Sequence, residues 1–273
     1  MAHQRGAVRG GALLGLLFLV PASSADEAAA VRAVEKLGGR ITRDAERPGK
    51  PVVEVDFYNS KITDAGLKVL KEFKGLQTLI LDNTEITDAG LKELKELKNL
   101  QTLELGVPNI TDAGLKELKE HKSLQQLSLG YTQVTDVGLK ELREHKNLQR
   151  LALRETKVTD AGLKELKELK NLQYLNLDLT SVTDAGLKEL KELRNLQVLY
   201  LGRTKITDAG LKELKQLKKL QMLELNGTDV SDSGLKEIKE LKNLQVLEIG
   251  FTQVTDAGAK ELKAALPKLE IRQ

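Results

Sequence analysis

A Thr-Asp dipeptide, once Ser-Asp, returns at Thr63, Thr87, Thr111, Thr135, Thr159, Thr183, Thr207, Ser231 and Thr255, and every interval is 24 residues. A fixed period of this size is the signature of a solenoid, in which no unit buries its apolar face alone and each stacks on its neighbours. That constraint overrides the one or two globular domains that 273 residues would otherwise suggest. The chain is 40% hydrophobic but only 3% aromatic, so the stacked layers have to be built almost entirely from Leu.

Each repeat changes spacing halfway. Leu100, Leu103 and Leu105, or Leu172, Leu175 and Leu177, follow Leu-x-x-Leu-x-Leu, which predicts a short strand with residues 102, 104 and 106 facing outward. In "TDAGLKELKEL", Leu91, Leu94 and Leu97 lie three apart and predict one stripe of a helix. Thr87 suits the helix N-cap and Asp88 the positive end of its dipole. Gly90 costs a helix about 1 kcal/mol relative to Ala, which predicts a close backbone approach between coils. Lys92 follows Asp88 at i,i+4 spacing, a pair that contributes about 0.2–0.5 kcal/mol on a solvated convex side. Successive strands linked through helices in one sense make a right-handed coil with a parallel sheet. Strands stack at about 4.8 Å and helices at about 8–10 Å, so the stack curves with the strands inside.

The pattern LxxLxLxxTxITDAGLxxLxxLxN resembles the leucine-rich repeat proteins, in particular the 24-residue class of bacterial proteins and of F-box adaptors. The resemblance implies an α/β, right-handed leucine-rich-repeat solenoid, a curved horseshoe with parallel strands on the concave face and helices on the convex face. It spans residues 52–273 as nine repeats plus a truncated terminal strand in "LPKLEIRQ", reached after a one-residue insertion. Where the family commonly has Asn or Cys after the strand, this chain has Ser60, Thr84, Thr132, Thr156, Thr180, Thr204, Thr228 and Thr252, a hydroxyl column expected to satisfy backbone groups of adjacent turns. Pro108 interrupts the column and predicts irregular bonding there. Residues 26–51 are too short for the separate module through which F-box adaptors join ubiquitin ligase machinery, so that role is an analogy from the repeats alone.

Residues 1–25 read as a secretory signal peptide, with Arg5 and Arg9, an apolar run from Ala12 to Val20, and Ser23 and Ala25 before a cut at Asp26. The run is about half the length of a membrane span, so no integral membrane segment is expected after its removal, and the protein is read as exported. Residues 26–51 read as an N-terminal capping helix and turn, with Ala30, Val31, Val34 and Leu37 at helical spacing and a short capping strand or loop before Pro51. Loss of the signal takes Arg5 and Arg9 from 43 basic residues and nothing from 40 acidic ones, leaving 41 against 40. Such a balance argues against nucleic acid as a partner. Cysteine is absent, which excludes disulfides and thiol chemistry. No phosphate loop, Ser-His-Asp set or metal-ligand cluster is legible; no cofactor, metal or catalytic residue is expected, and the protein is read as a non-enzyme. His121 and His145, one period apart in the place of Leu97, read as helix-edge residues rather than ligands.

What does not repeat is the outward face. The column through residue 102 runs Glu54, Thr78, Thr102, Gln126, Arg150, Tyr174, Val198, Met222, Val246, and that through 104 includes Asn176, Tyr200, Glu224 and Glu248. The next column carries Tyr58, Arg154, Asp178 and Asn226. Tyr and Arg are the residues that most often anchor protein interfaces. Tyr131, Arg150, Arg154, Tyr174, Asn176, Asp178, Tyr200 and Arg203 are therefore the expected ligand-binding residues, in the concavity of coils four to six. Their ligand is expected to be a protein or peptide, with a glycan as the lesser alternative. A passive envelope or structural protein is the competing class, since Arg154 and Asp178 can simply pair and Tyr174 can cover Arg150.

Overall fold

The computed structural model describes residues 25–273; the signal-peptide reading of residues 1–25 therefore lies outside the described residues except for Ala25. One sheet of eleven strands runs in chain order. β1 (Arg40–Arg43) pairs antiparallel with β2 (Val52–Asp56). Parallel to β2 come β3 (Thr78–Ile80), β4 (Thr102–Glu104), β5 (Gln126–Ser128), β6 (Arg150–Ala152) and β7 (Tyr174–Asn176). β8 (Val198–Tyr200), β9 (Met222–Glu224), β10 (Val246–Glu248) and β11 (Glu270–Arg272) complete the sheet, also parallel. Counting coils from β2, each coil returns through a helical segment on the side away from the outward strand residues, which makes the α/β horseshoe. The strand pairing holds a 24-residue offset throughout, as in Glu54 with Thr78 and Val246 with Glu270. The one-residue insertion before the last strand is absorbed: Leu269 N–H bonds Leu266 O, as Leu244 bonds Leu241 25 residues earlier, yet the strand regains its register.

The helix stripe needs a correction of type. Asp64–Glu72 and Gly90–Glu96 are 3-10 helices, and in coils such as Asp160–Leu163 a single α turn passes into 3-10 at Lys164–Glu168. The spacing is compatible with it: Leu91, Leu94 and Leu97 recur every three residues, the interval at which 3-10 side chains eclipse, and all three are buried, although Asp112–Glu117 and Asp232–Ile238 keep the same interval as α-helices. α1 (Ala25–Lys36) buries Ala30 and Val34 at the N-terminal end, but Leu37 lies past its last turn and is exposed, contrary to its expected place on the apolar face.

Thr-Asp joins coils as well as opening helices. Thr111 Oγ accepts the N–H of Ala113 as a cap, while its own N–H and hydroxyl donate to Asp88 of the preceding coil at 2.8 and 2.6 Å. Asp112 does the same for Thr135, Asp136 for Thr159 and Asp160 for Thr183. The glycine two residues after each Asp leaves room for this, since a Cβ on Gly162 would run into the Asp136 carboxylate. The Asp residues are therefore clamps between coils, a role stronger than the dipole effect their position suggests. Asp88 accordingly has no ion pair to Lys92 among the described residues. The convex charges pair across coils instead, Lys170 with Glu192 at 3.3 Å and Lys215 with Glu237 at 2.8 Å.

Two further expectations are corrected. The hydroxyl column serves its own coil: Thr84 Oγ1 donates to Leu81 O at 2.7 Å and Thr132 to Leu129 O at 2.7 Å. His121 and His145 are fully buried core residues rather than helix-edge ones. Their Nε2 atoms lie 2.9 Å from Leu94 O and 3.1 Å from Leu118 O of the preceding coils, and their Nδ1 atoms have no partner. Burial depresses the His145 pKa, so its ring packs neutral in a layer that is Leu at Leu97 and Leu169.

Candidate functional site

From β3 to β10 each three-residue strand buries its middle Leu and turns its first and third residues outward. Register then decides who meets whom: Arg150 stands beside Tyr174, and Asn176 beside Tyr200. The Arg150 guanidinium lies over the Tyr174 ring, 4.0 Å from its centre, in the geometry of a cation–π contact. The Tyr174 and Tyr200 rings are 5.5 Å apart and tilted by 50°. Tyr200 presents its hydroxyl 3.4 Å from the sulfur of Met222, and burial raises its pKa.

Beyond the strands the chain turns through a left-handed residue in nearly every coil. Asn59, Asn83, Tyr131, Glu155, Leu179, Arg203 and Phe251 have φ between 53° and 63°. Five of these seven are bulky side chains in a region that Asn or Gly enters more cheaply. The reward is a bond between coils: Asn83 N–H donates to Gly106 O, Tyr131 to Arg154 O and Arg203 to Asn226 O. The third coil lacks it. Pro108 disfavours the helical regions for the residue before it, so Val107 buries its side chain and bonds Leu105 O instead, the irregularity that Pro108 predicts.

Two strings of side chains result. Arg150, Tyr174 and Tyr200 form one. In the other, Arg154 Nε donates to the Tyr131 hydroxyl at 2.9 Å and its Nη1 meets Asp178 at 3.1 Å. Asn176 supports this second string, its Oδ1 accepting the Asp178 N–H at 2.9 Å. Arg203 joins neither and makes no ion pair among the described residues. The eight expected residues occupy coils four to seven, one coil further than expected, since Tyr200 and Arg203 belong to the seventh.

A groove of about 630 Å³ lies beside them toward the C-terminal coils. Arg154, Asp178 and Arg203 reach it, but Glu224, Glu248 and Arg272 complete it, and these were not among the expected residues. Arg272 pairs with Glu248 at 2.9 Å. Phe251, 93% exposed, stands on its rim. The signal for the groove was legible as a gap: Gly202 leaves the outward column empty between Asp178 and Asn226. At the other end, Glu54, Asp56, Asp82 and Glu104 make the first three coils acidic; burial first, then Asp82, raises the pKa of Glu104. Among the described residues, no helix is long and apolar enough to cross a membrane.

Residues 170–230 match one family model described as leucine rich repeat, and residues 120–142 and 240–263 match a second of the same description. Among solved structures the chain is similar to internalin C2 of Listeria monocytogenes, at 27% identity over 83% of this chain and 92% of that one, with a TM-score of 0.60. It is also similar to an internalin (inlF) of the same organism, at 20% identity over 91% and 94% of the two chains, with a TM-score of 0.49. No curated protein sequence matches it.

Proposed function

Because this chain is a leucine-rich repeat protein, a repeat module of the protein-interaction kind, we propose that it is a non-enzymatic recognition module whose concave face captures a protein or peptide ligand. The observation that carries the reading is the contrast within one face. The core layers and the Thr-Asp clamps repeat with little change, while the outward positions of coils four to seven gather three tyrosines and three arginines. Arg150 and Tyr174 already stack, so a ligand meets side chains that have little rotamer freedom left to lose. We further propose that residues 1–25 are a signal peptide removed before Asp26 and that the protein is exported. Residues 26–51 would then cap the solenoid, and residues 52–273 form the binding unit.

The Arg154–Asp178 pair favours a second reading, a passive structural protein whose outward side chains only satisfy one another. One assay separates the two. The mature protein is used to capture its partner from its native envelope fraction, and affinity is then measured with Arg150→Ala, Tyr174→Ala and Tyr200→Ala. Anchors should each cost about 2 kcal/mol or more. Three silent variants, with losses confined to convex Lys and Glu changes, would reject the concave face. N-terminal sequencing of the exported protein tests the signal, and an intact Met1 start would refute its removal.

A further inference from the structure

Two buried carboxyl groups meet behind the tyrosine–arginine face. Asp178 is 7% exposed and Glu224 6%, although they belong to the sixth and eighth coils. Gly202 of the seventh coil lets them come together. Asp178 Oδ1 accepts the Gly202 N–H at 2.8 Å, and a Cβ on Gly202 would stand only 2.5 Å from Glu224 Oε2 and 2.8 Å from Oε1. The other oxygens are engaged, Asp178 Oδ2 by Arg154 and Glu224 Oε1 by the Asn226 N–H at 2.9 Å. Glu224 Oε2 alone is sealed from solvent without a donor. A buried carboxylate oxygen in that position is costly, and a proton shared with the neighbouring carboxylate removes the cost.

We propose that Glu224 is a positioning residue that holds a proton against Asp178, and that this proton keeps Arg154 and Tyr131 in the arrangement they have in the concave face. The hydrogen-bonded string then runs Glu224, Asp178, Arg154, Tyr131, from the eighth coil to the fourth. Burial first and Asp178 second push the Glu224 pKa up to about 7, so the proton is lost near neutrality. The groups around Glu224 decide where its carboxylate turns once it is charged. Asp178 and Arg154 lie on the N-terminal side, Tyr200 and Arg203 on the intervening coil, and Glu248 and Arg272 on the C-terminal side. Arg154 is committed to Asp178, and Arg272 to Glu248 and Glu270. Ionised Glu224 is repelled by Asp178 and Glu248, and Arg203 is the cation of the groove with no ion pair among the described residues. A turn of Glu224 toward Arg203 withdraws it from Asp178 and loosens the hold on Arg154.

The consequence for ligand capture rests on the concave-face reading, whereas the titration does not. In the full chain, the Gly202 amide and the Arg154 Nε–H are followed by ¹H–¹⁵N NMR from about pH 4 to 9. Both signals should move together with a midpoint near 7 and stay flat through that region in Glu224→Gln. Gly202→Ala, which forces the carboxyls apart, should lower the midpoint by at least about one pH unit. A midpoint below about 5, in the ordinary carboxylate range, or one that survives Glu224→Gln, would overturn the proposal. So would movement of Gly202 with Arg154 unmoved. Silent alanine variants in the capture assay would leave this titration standing, and a flat titration would leave that assay standing.

Discussion

Asp136 shows how much one side chain carries in this fold. It accepts both the N–H and the hydroxyl of Thr159 on the next coil, so Asp136→Ala strands a backbone donor as well as a side-chain one. The expected cost is about 1–3 kcal/mol, read from denaturant unfolding, and Lys140→Ala on the same coil should change stability by less than about 0.5 kcal/mol. Two buried titratable groups act on stability in opposite directions. The His145 pKa is depressed by burial, so the unfolded chain takes up its proton first and stability falls as pH drops below the ordinary histidine value of 6.5. The Glu224 pKa is raised from 4.5 to about 7, so its contribution is full at low pH and is lost as pH rises through that window. His145→Leu should therefore flatten the acid side of a stability–pH curve. Glu224→Gln should stabilise the protein at pH 8 relative to pH 5, by up to about 3 kcal/mol. Thermal unfolding across pH with both variants checks the two signs independently.

At the scale of elements, the turn after the strand joins coils, and the third coil is its exception. Val107 is buried and its N–H stays within its own coil, while Asn83 and Tyr131 on either side donate to the next coil. Val107→Asn with Pro108→Thr recreates the sequence of a regular turn such as Asn83-Thr84. The variant amide at position 107 should then bond Gly130 O, and its hydrogen exchange should slow to the rate of the Asn83 amide. Unchanged exchange there would mean that the local burial of Val107, rather than Pro108, sets the turn. An interval of three apolar residues fits the eclipsed faces of a 3-10 helix, but Asp232–Ile238 keeps the same interval as an α-helix, so spacing alone does not select the form.

The whole molecule is a linear stack in which each coil leans on its two neighbours, through the Leu layers, the Asp-to-Thr clamps and the strand ladder. Removing residues 88–111, one full period, joins Thr87 to Asp112 and leaves every remaining clamp with a partner. Such a chain should fold cooperatively with one strand fewer and, if the proposed concave face binds the partner, keep its affinity, because coils four to seven are untouched. Circular dichroism and the capture assay test both halves of that expectation. Removing half a period should abolish folding, since it places Leu positions where the strand turns outward. Charge is also distributed along the stack: Glu54, Asp56, Asp82 and Glu104 precede the arginine-bearing coils. On the proposed concave-face reading, a ligand docked on the middle coils would extend toward an acidic end.

The period, the Leu spacing and the turn residues determined the parallel solenoid and the irregular third coil, because a strict repeat leaves stacking as the one way to bury every Leu; that the N-terminal segment before Pro51 is a strand rather than a loop was decided by the structure. The outward columns likewise told which residues share the face with Arg150 and Tyr174, since alternation and register are arithmetic on the sequence. Partners across coils needed the tertiary structure. That Asp136 clamps Thr159, and that His121 and His145 lie in the core against carbonyls of the preceding coils, depend on distances that one repeat does not contain. The pairing of Asp178 with Glu224 is the clearest case. Two residues 46 positions apart meet only because the coil between them presents Gly202; the column shows the gap, but not which side chains of the flanking coils close over it.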